Sequence, residues 1–196
     1  KVFYYLLYGC GLRVGEALNL LKNDSGIDLK NGQINLTNRP ASKQIPPFKL
    51  KDKEARSVPM PKKVLELLKQ LLKESDSDCP FLLMTSDRWE VVKKNWQTMR
   101  KEGRSREWEN KMLVCNPLRD FKRTCKRAGI ETHERLNLHG LRKSWATNLA
   151  DNGINQKTLC ELGGWSDPSV LNEYYNKATD ANKDKARQVL DDLFGE

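Results

Sequence analysis

No stretch of the 196-residue chain is apolar for long enough to span a bilayer, and 31% of its residues are charged. Both observations argue for a soluble protein and against a helical membrane anchor. There is no Gly-rich Walker loop ahead of a Lys-Ser or Lys-Thr pair, no His-Glu-X-X-His pattern and no cysteine–histidine cluster, so nucleotide hydrolysis and zinc chemistry find no support. The five cysteines, Cys10, Cys79, Cys115, Cys125 and Cys160, are odd in number and never spaced as a zinc pair. They read as reduced thiols, which suits a cytoplasmic protein better than a disulfide scaffold. Histidine is scarce, with two copies, and neither an internal repeat nor a low-complexity tract is present. The opening KVFYYLLYGCG reads as a helix entered partway, without initiator methionine, cap or cleavage pattern, so the chain is expected to be part of a longer protein.

What is abundant is positive charge in one region. Lys and Arg number 35 against 26 Asp and Glu, a net charge of +9. Between Lys93 and Lys143 there are 15 basic and 6 acidic residues, so this stretch alone carries the whole excess. Charge concentrated in this way favours a polyanion, because each neutralised phosphate releases condensed counterions. A merely solvated basic surface is the alternative.

Hydrophobic spacing predicts helices over residues 2–9 and 14–22 with Gly11 breaking the run between them, and an amphipathic helix opening at Pro61 with Val64, Leu65, Leu68, Leu71 and Leu72 on one face. Trp89, Val92, Trp96 and Met99 recur at helical spacing. A further helix is predicted from Pro117, with Leu118, Phe121 and Cys125 inward and Arg119, Lys122, Arg123 and Lys126 as an opposite basic stripe. The last predicted helices run from Leu141 through Trp145 to Leu149, from the capping residue Asn155 to Leu162, and onward from Asp167. GQINL and ARSVPM read as two strands flanking a long polar loop that contains Pro40, Pro46 and Pro47.

The chemistry gathers near the C-terminus. His139, Arg142, Trp165 and Tyr174 fall within 36 residues, and Arg13 lies far upstream. A phenol is ionised to only about one part in a thousand at neutral pH, so generating a tyrosinate costs on the order of 4 kcal/mol unless a neighbour accepts the proton. His139 can do so. Planar guanidinium forks match the charge that grows on non-bridging oxygens as a phosphoryl centre is attacked, the part suited to Arg13 and Arg142. A lysine can protonate the departing oxygen, and Lys51, beside a predicted strand, is the candidate. Trp165 can donate its indole N–H to a phosphate oxygen, although it cannot shuttle protons.

These segments resemble the catalytic domain of the tyrosine recombinases, the phage integrase family. GCGLRVGEALNL resembles the family's first arginine motif and carries Arg13 and Glu16. HGLR resembles its His-X-X-Arg motif and carries His139 and Arg142. ELGGW resembles its Leu-Gly-His motif, with Trp165 in place of the usual histidine, and Tyr174 follows nine positions later, at the interval of the family's nucleophile. KDKEARSVPMP resembles the family's hairpin, and counting back from Pro59 places the lysine at Lys51. Lys49 and Lys53 flank that position, and Tyr175 neighbours Tyr174, so both assignments have a close alternative.

The resemblance implies an α+β fold, mainly α-helical with a small antiparallel β-sheet, of the DNA breaking-rejoining type, with residues 1–196 as one catalytic domain. It also implies cleavage and rejoining of double-stranded DNA through a 3′-phosphotyrosyl intermediate, with neither cofactor nor metal. On the same resemblance, the family's N-terminal core-binding domain is expected to lie outside this stretch. Residues 177–196 carry an apolar stripe, Ala186, Val189, Leu190, Leu193 and Phe194, that either closes the domain's own core or reaches a neighbouring protomer in a DNA-bound tetramer. Alone, the chain is expected to be monomeric, and its place is the cytoplasm, on the nucleoid. The loop TNRPASKQIPP and the connection from Thr85 to Val114 are longer than the family pattern. A non-catalytic DNA-binding remnant and a type IB topoisomerase are the rival readings.

Overall fold

The computed structural model describes residues 1–23, 25–51, 55–75, 78–109, 112–114, 116–172 and 187–192. Among the described residues, the α-helices α1 (Val2–Gly9), α2 (Val14–Leu18), α3 (Lys62–Glu74), α4 (Ser86–Lys101), α5 (Pro117–Arg127), α6 (Leu138–Asp151) and α7 (Gln156–Gly163) accompany the short strands β1 (Ile27–Asp28), β2 (Gln33–Leu36) and β3 (Arg56–Pro59), and residues 187–192 are also helical. The strands form an antiparallel sheet in the order β1-β2-β3, with Ile34 opposite both Ile27 and Val58. The fold is therefore α+β and mainly helical, with one more strand than the two predicted.

Helix α1 is the centre of the main core. It packs against α6, α3 and α2, and its buried Leu6 and Leu7 join Ile34, Val58, Val64 and Leu68 in one apolar cluster. Gly11 ends the first run with a φ of +63°, and a methyl group there would collide with the Trp145 ring on α6, so this close approach of chain and helix requires glycine. A second cluster joins Trp145, Ala146 and Ala150 of α6 to Leu159 and Cys160 of α7.

Three predictions about elements need correction. Helix α2 stops at Leu18 rather than residue 22. The backbone of residues 20–22 is recruited instead by residues 80–82, through Leu82 N to Leu20 O at 2.9 Å and Lys22 N to Pro80 O at 2.9 Å. Leu118 is 39% exposed rather than inward, while Phe121 and Cys125 are buried as expected. Pro61 caps α3 from outside, the helix beginning at Lys62.

The two longer connections pack on each other. The loop after β2 is closed by an antiparallel bridge between Arg39 and Phe48, and Arg39 donates to Asn19 O at 2.9 Å, Asn19 Oδ1 at 2.8 Å and Pro46 O at 3.1 Å. Burial pulls its guanidinium pKa down to about 10, which still leaves it charged at neutral pH. The tip of this loop reaches α4, where the fully buried Trp96 donates from Nε1 to Ser42 O at 3.1 Å and Arg100 donates to the same oxygen at 3.2 Å. Trp96 also meets Trp108 edge-on, ring centres 5.6 Å apart. Among the described residues no helix is long and apolar enough to cross a membrane, and Cys10, Cys79, Cys125 and Cys160 are all buried free thiols.

Candidate active site

The site is built on the C-terminal end of α7. A helix leaves its last carbonyls without intrahelical partners, and its dipole makes that end negative. Here the helix closes with Gly164 at φ +65°, and three successive carbonyls each accept from a different arginine. Leu162 O accepts from Arg56 Nε at 2.9 Å, Gly163 O from Arg142 Nη2 at 2.6 Å, and Gly164 O from Arg13 Nη2 at 2.7 Å. One glycine turn thus gathers three guanidinium groups delivered from β3, α6 and the N-cap of α2.

Arg13 is held from below by Glu16, one turn on. Glu16 Oε2 accepts from the Arg13 backbone N–H at 2.8 Å, and Oε1 accepts from Arg13 Nη1 at 3.1 Å. Arg142 is 1% exposed and also donates to Gly11 O, so it pins the α1–α2 junction to the α7 turn. Its guanidinium carbon lies 4.1 Å from the centre of the Trp165 ring, a cation–π contact. Trp165 stacks on Trp145 with centres 6.2 Å apart and planes tilted by 24°. Trp165 could not sit where it does if Gly163 carried a side chain, because a methyl there would fall within its ring.

Of the six residues singled out in the sequence, the structure brings Arg13, Arg142 and Trp165 together at this turn. His139 is exposed in the first turn of α6, three residues before Arg142 on the same helix, a spacing that places the two side chains on one face. Asn137 caps that turn, its side chain accepting from Gly140 N at 2.8 Å. Lys51 is not brought in. It is exposed at the end of the loop before β3 and makes no hydrogen bond or ion pair among the described residues, directly after the buried Leu50. Tyr174 and its neighbour Tyr175 lie outside the described residues.

Arg56 is the site member that sequence reasoning missed. It is 8% exposed at the side chain and pairs with Glu16 Oε2 at 2.8 Å. A signal was present: Arg56 and Val58 share a face of β3 at strand period two, and Val58 is fully inward, so a cation on that face needs a buried partner. Among the described residues, three guanidinium groups and the Glu16 carboxylate meet at this turn, and guanidinium forks are the donors that suit a phosphate.

The phage integrase family matches residues 1–181. The chain belongs to that family. Among curated phage-integrase relatives, the tyrosine recombinase XerA of Thermococcus kodakarensis is 30% identical over 199 residues, which cover 100% of this chain and 58% of that protein. The XerA of Thermococcus onnurineus is 29% identical, covering 96% and 54%, and the integrase of Salmonella phage P22 is 37% identical over 70 residues, 36% of this chain and 17% of that one. The chain therefore spans about half the length of the curated relatives it matches end to end. In structure it is similar to a XerA recombinase crystal structure, with a TM-score of 0.63 and 21% identity over 95% of this chain and 56% of the other. It is also similar to the Tn1549 transposon integrase solved with circular intermediate DNA, with a TM-score of 0.59 and 21% identity over 96% and 59%. The shared architecture is the phage integrase fold, mostly helical with a three-stranded antiparallel sheet.

Proposed function

We propose that this chain is the catalytic domain of a site-specific recombinase or integrase that cuts and rejoins double-stranded DNA through a covalent 3′-phosphotyrosine, with neither metal nor ATP. The observation that carries the reading is the convergence of Arg13 and Arg142 on the glycine turn before Trp165, in a chain whose family match covers residues 1–181. Its fold is also that of an integrase solved with DNA.

In this reading a phosphodiester enters beside Arg13, Arg142 and Trp165. The Tyr174 oxygen attacks phosphorus, His139 handles the phenolic proton, and the bond from phosphorus to the 5′ oxygen breaks. That oxygen leaves as a hydroxyl carrying a proton supplied by Lys51. Fixed guanidinium groups stabilise the charge on the non-bridging oxygens without reorganising, and the new phosphotyrosyl bond conserves the energy of the old one for rejoining. Lys51 stands exposed on the hairpin, so in this reading DNA contact folds the hairpin toward the pocket; catalytic contacts often tighten only with substrate present. Residues 177–196 serve exchange between protomers of a DNA-bound tetramer. Val189 and Leu190, both more than half exposed, support this, since they do not close the domain's own core.

A pool of nicked suicide duplexes of randomised sequence tests the activity without knowledge of the target. The wild type and Tyr175→Phe should become covalently attached to DNA, and Tyr174→Phe should not. Attachment by Tyr174→Phe but not Tyr175→Phe would move the nucleophile by one residue. No adduct with any duplex would leave a non-catalytic DNA-binding remnant.

A further inference from the structure

We propose that Arg56 is a positioning residue for strand cleavage, acting as the counter-ion that keeps Glu16 from neutralising Arg13; the inference rests on the recombinase reading above. Glu16 is 3% exposed. If its carboxylate faced Arg13 alone, the pair would approach electrical neutrality, and a guanidinium so balanced would offer little field to a phosphate. Arg56 changes that balance. Its Nη2 takes up Glu16 Oε2 at 2.8 Å, while Arg13 Nη1 holds Oε1 at 3.1 Å, so the one negative charge of Glu16 is shared between two cations and is not spent on Arg13 alone.

Geometry adds a second effect. The Arg56 fork is fixed by Leu162 O at 2.9 Å on its Nε side, and Gly164 leaves room for it, since a Cβ at Gly164 would lie 2.7 Å from Arg56 Nη1. The same side chain therefore ties β3, the strand that follows Lys51 in the chain, to the glycine turn that carries Trp165. A lysine could keep the charge, but its compact ammonium on a flexible stem lacks the planar fork that holds Glu16 and Leu162 O in one fixed geometry.

The test is single-turnover covalent attachment to a nicked suicide duplex selected from the pool above, over a range of DNA concentrations, for wild type, Arg56→Gln and Arg56→Lys. The amplitude reports how much protein is folded and active, and the limiting rate constant reports chemistry. Arg56→Gln should lower the limiting rate on the order of 100-fold, the scale expected when a catalytic group is misplaced by about an ångström. The half-saturating DNA concentration should stay within about twofold of wild type. Arg56→Lys should recover part of the lost rate. On a duplex whose scissile phosphate is a methylphosphonate, one non-bridging oxygen charge is gone, so the deficit of Arg56→Gln relative to wild type should shrink. A wild-type rate with reduced amplitude in Arg56→Gln, or an equal deficit on the phosphate and methylphosphonate duplexes, would overturn the positioning role and leave the recombinase reading intact. No adduct from the wild type would instead overturn the recombinase reading, and this inference with it.

Discussion

Gly163 has no room for a side chain. A methyl at that position would fall within the Trp165 ring, so Gly163→Ala must push the indole away from Arg142 or shift the end of α7. Overpacking of this kind costs about 1–3 kcal/mol; urea unfolding should show that loss, and adduct formation should fall with it because the Trp165 contact at 4.1 Å is displaced. His139 gives the opposite signature. It is exposed, so His139→Ala should leave the unfolding midpoint close to wild type while slowing covalent attachment by about 10²–10⁴-fold, the usual contribution of a proton-transfer group. An unfolding loss in His139→Ala together with an unchanged rate would assign the residue to the fold instead. At this scale the sequence was most readable where a motif named the side chain, as for Arg13 and Arg142. It was least readable at Arg56, where a long cation in a short strand looks like ordinary solvated charge, and only the inward face it shares with Val58 points inside.

Helices were legible where their apolar positions keep one period and a cap marks the end. Trp89, Val92, Trp96 and Met99 are the buried residues of α4, and Asn155 caps α7 by accepting from Thr158 N at 2.9 Å. The length of α2 was not legible. Leu20 and Leu21 continue the apolar pattern past Leu18, but their backbone is engaged across the fold with residues 80–82, a long-range pairing that leaves no local trace. Strand β1 escaped for a similar reason, two residues being too few to show alternation. The cap of α6 offers a test of how far element stability and chemistry separate. Asn137→Ala removes the acceptor for Gly140 N and should destabilise the protein by about 1 kcal/mol, measured by denaturant midpoint. Because that turn carries His139, the rate of attachment should fall as well, though less than in His139→Ala.

For the molecule as a whole, the excess of basic residues between Lys93 and Lys143 predicts steep salt dependence. If six to ten phosphates are neutralised, affinity for a duplex should drop by about 10³–10⁵-fold between 50 and 200 mM salt. Reversing Arg123 and Lys126 on the exposed face of α5 should flatten that slope without removing sequence preference. Affinity that ignores salt would place DNA elsewhere on the surface. Val189 and Leu190 belong to this scale too. If they serve the proposed exchange between protomers, changing both to serine should leave the domain's stability within about 0.5 kcal/mol, as for exposed positions generally, while weakening self-association on DNA as read by sedimentation. Unchanged assembly would remove the exchange role from Val189 and Leu190.

The contact between the loop after β2 and α4 bears on how the domain could be re-engineered or could have diverged. Trp96 is sealed by the Ser42 carbonyl, so trimming the loop to a tight hairpin would strand an indole N–H and wet a tryptophan, while deleting α4 would leave the loop tip with nothing to lean on. The two segments depend on each other: homologues should gain or lose them jointly, and a chimera that exchanges one without the other should unfold at lower denaturant concentration than either parent.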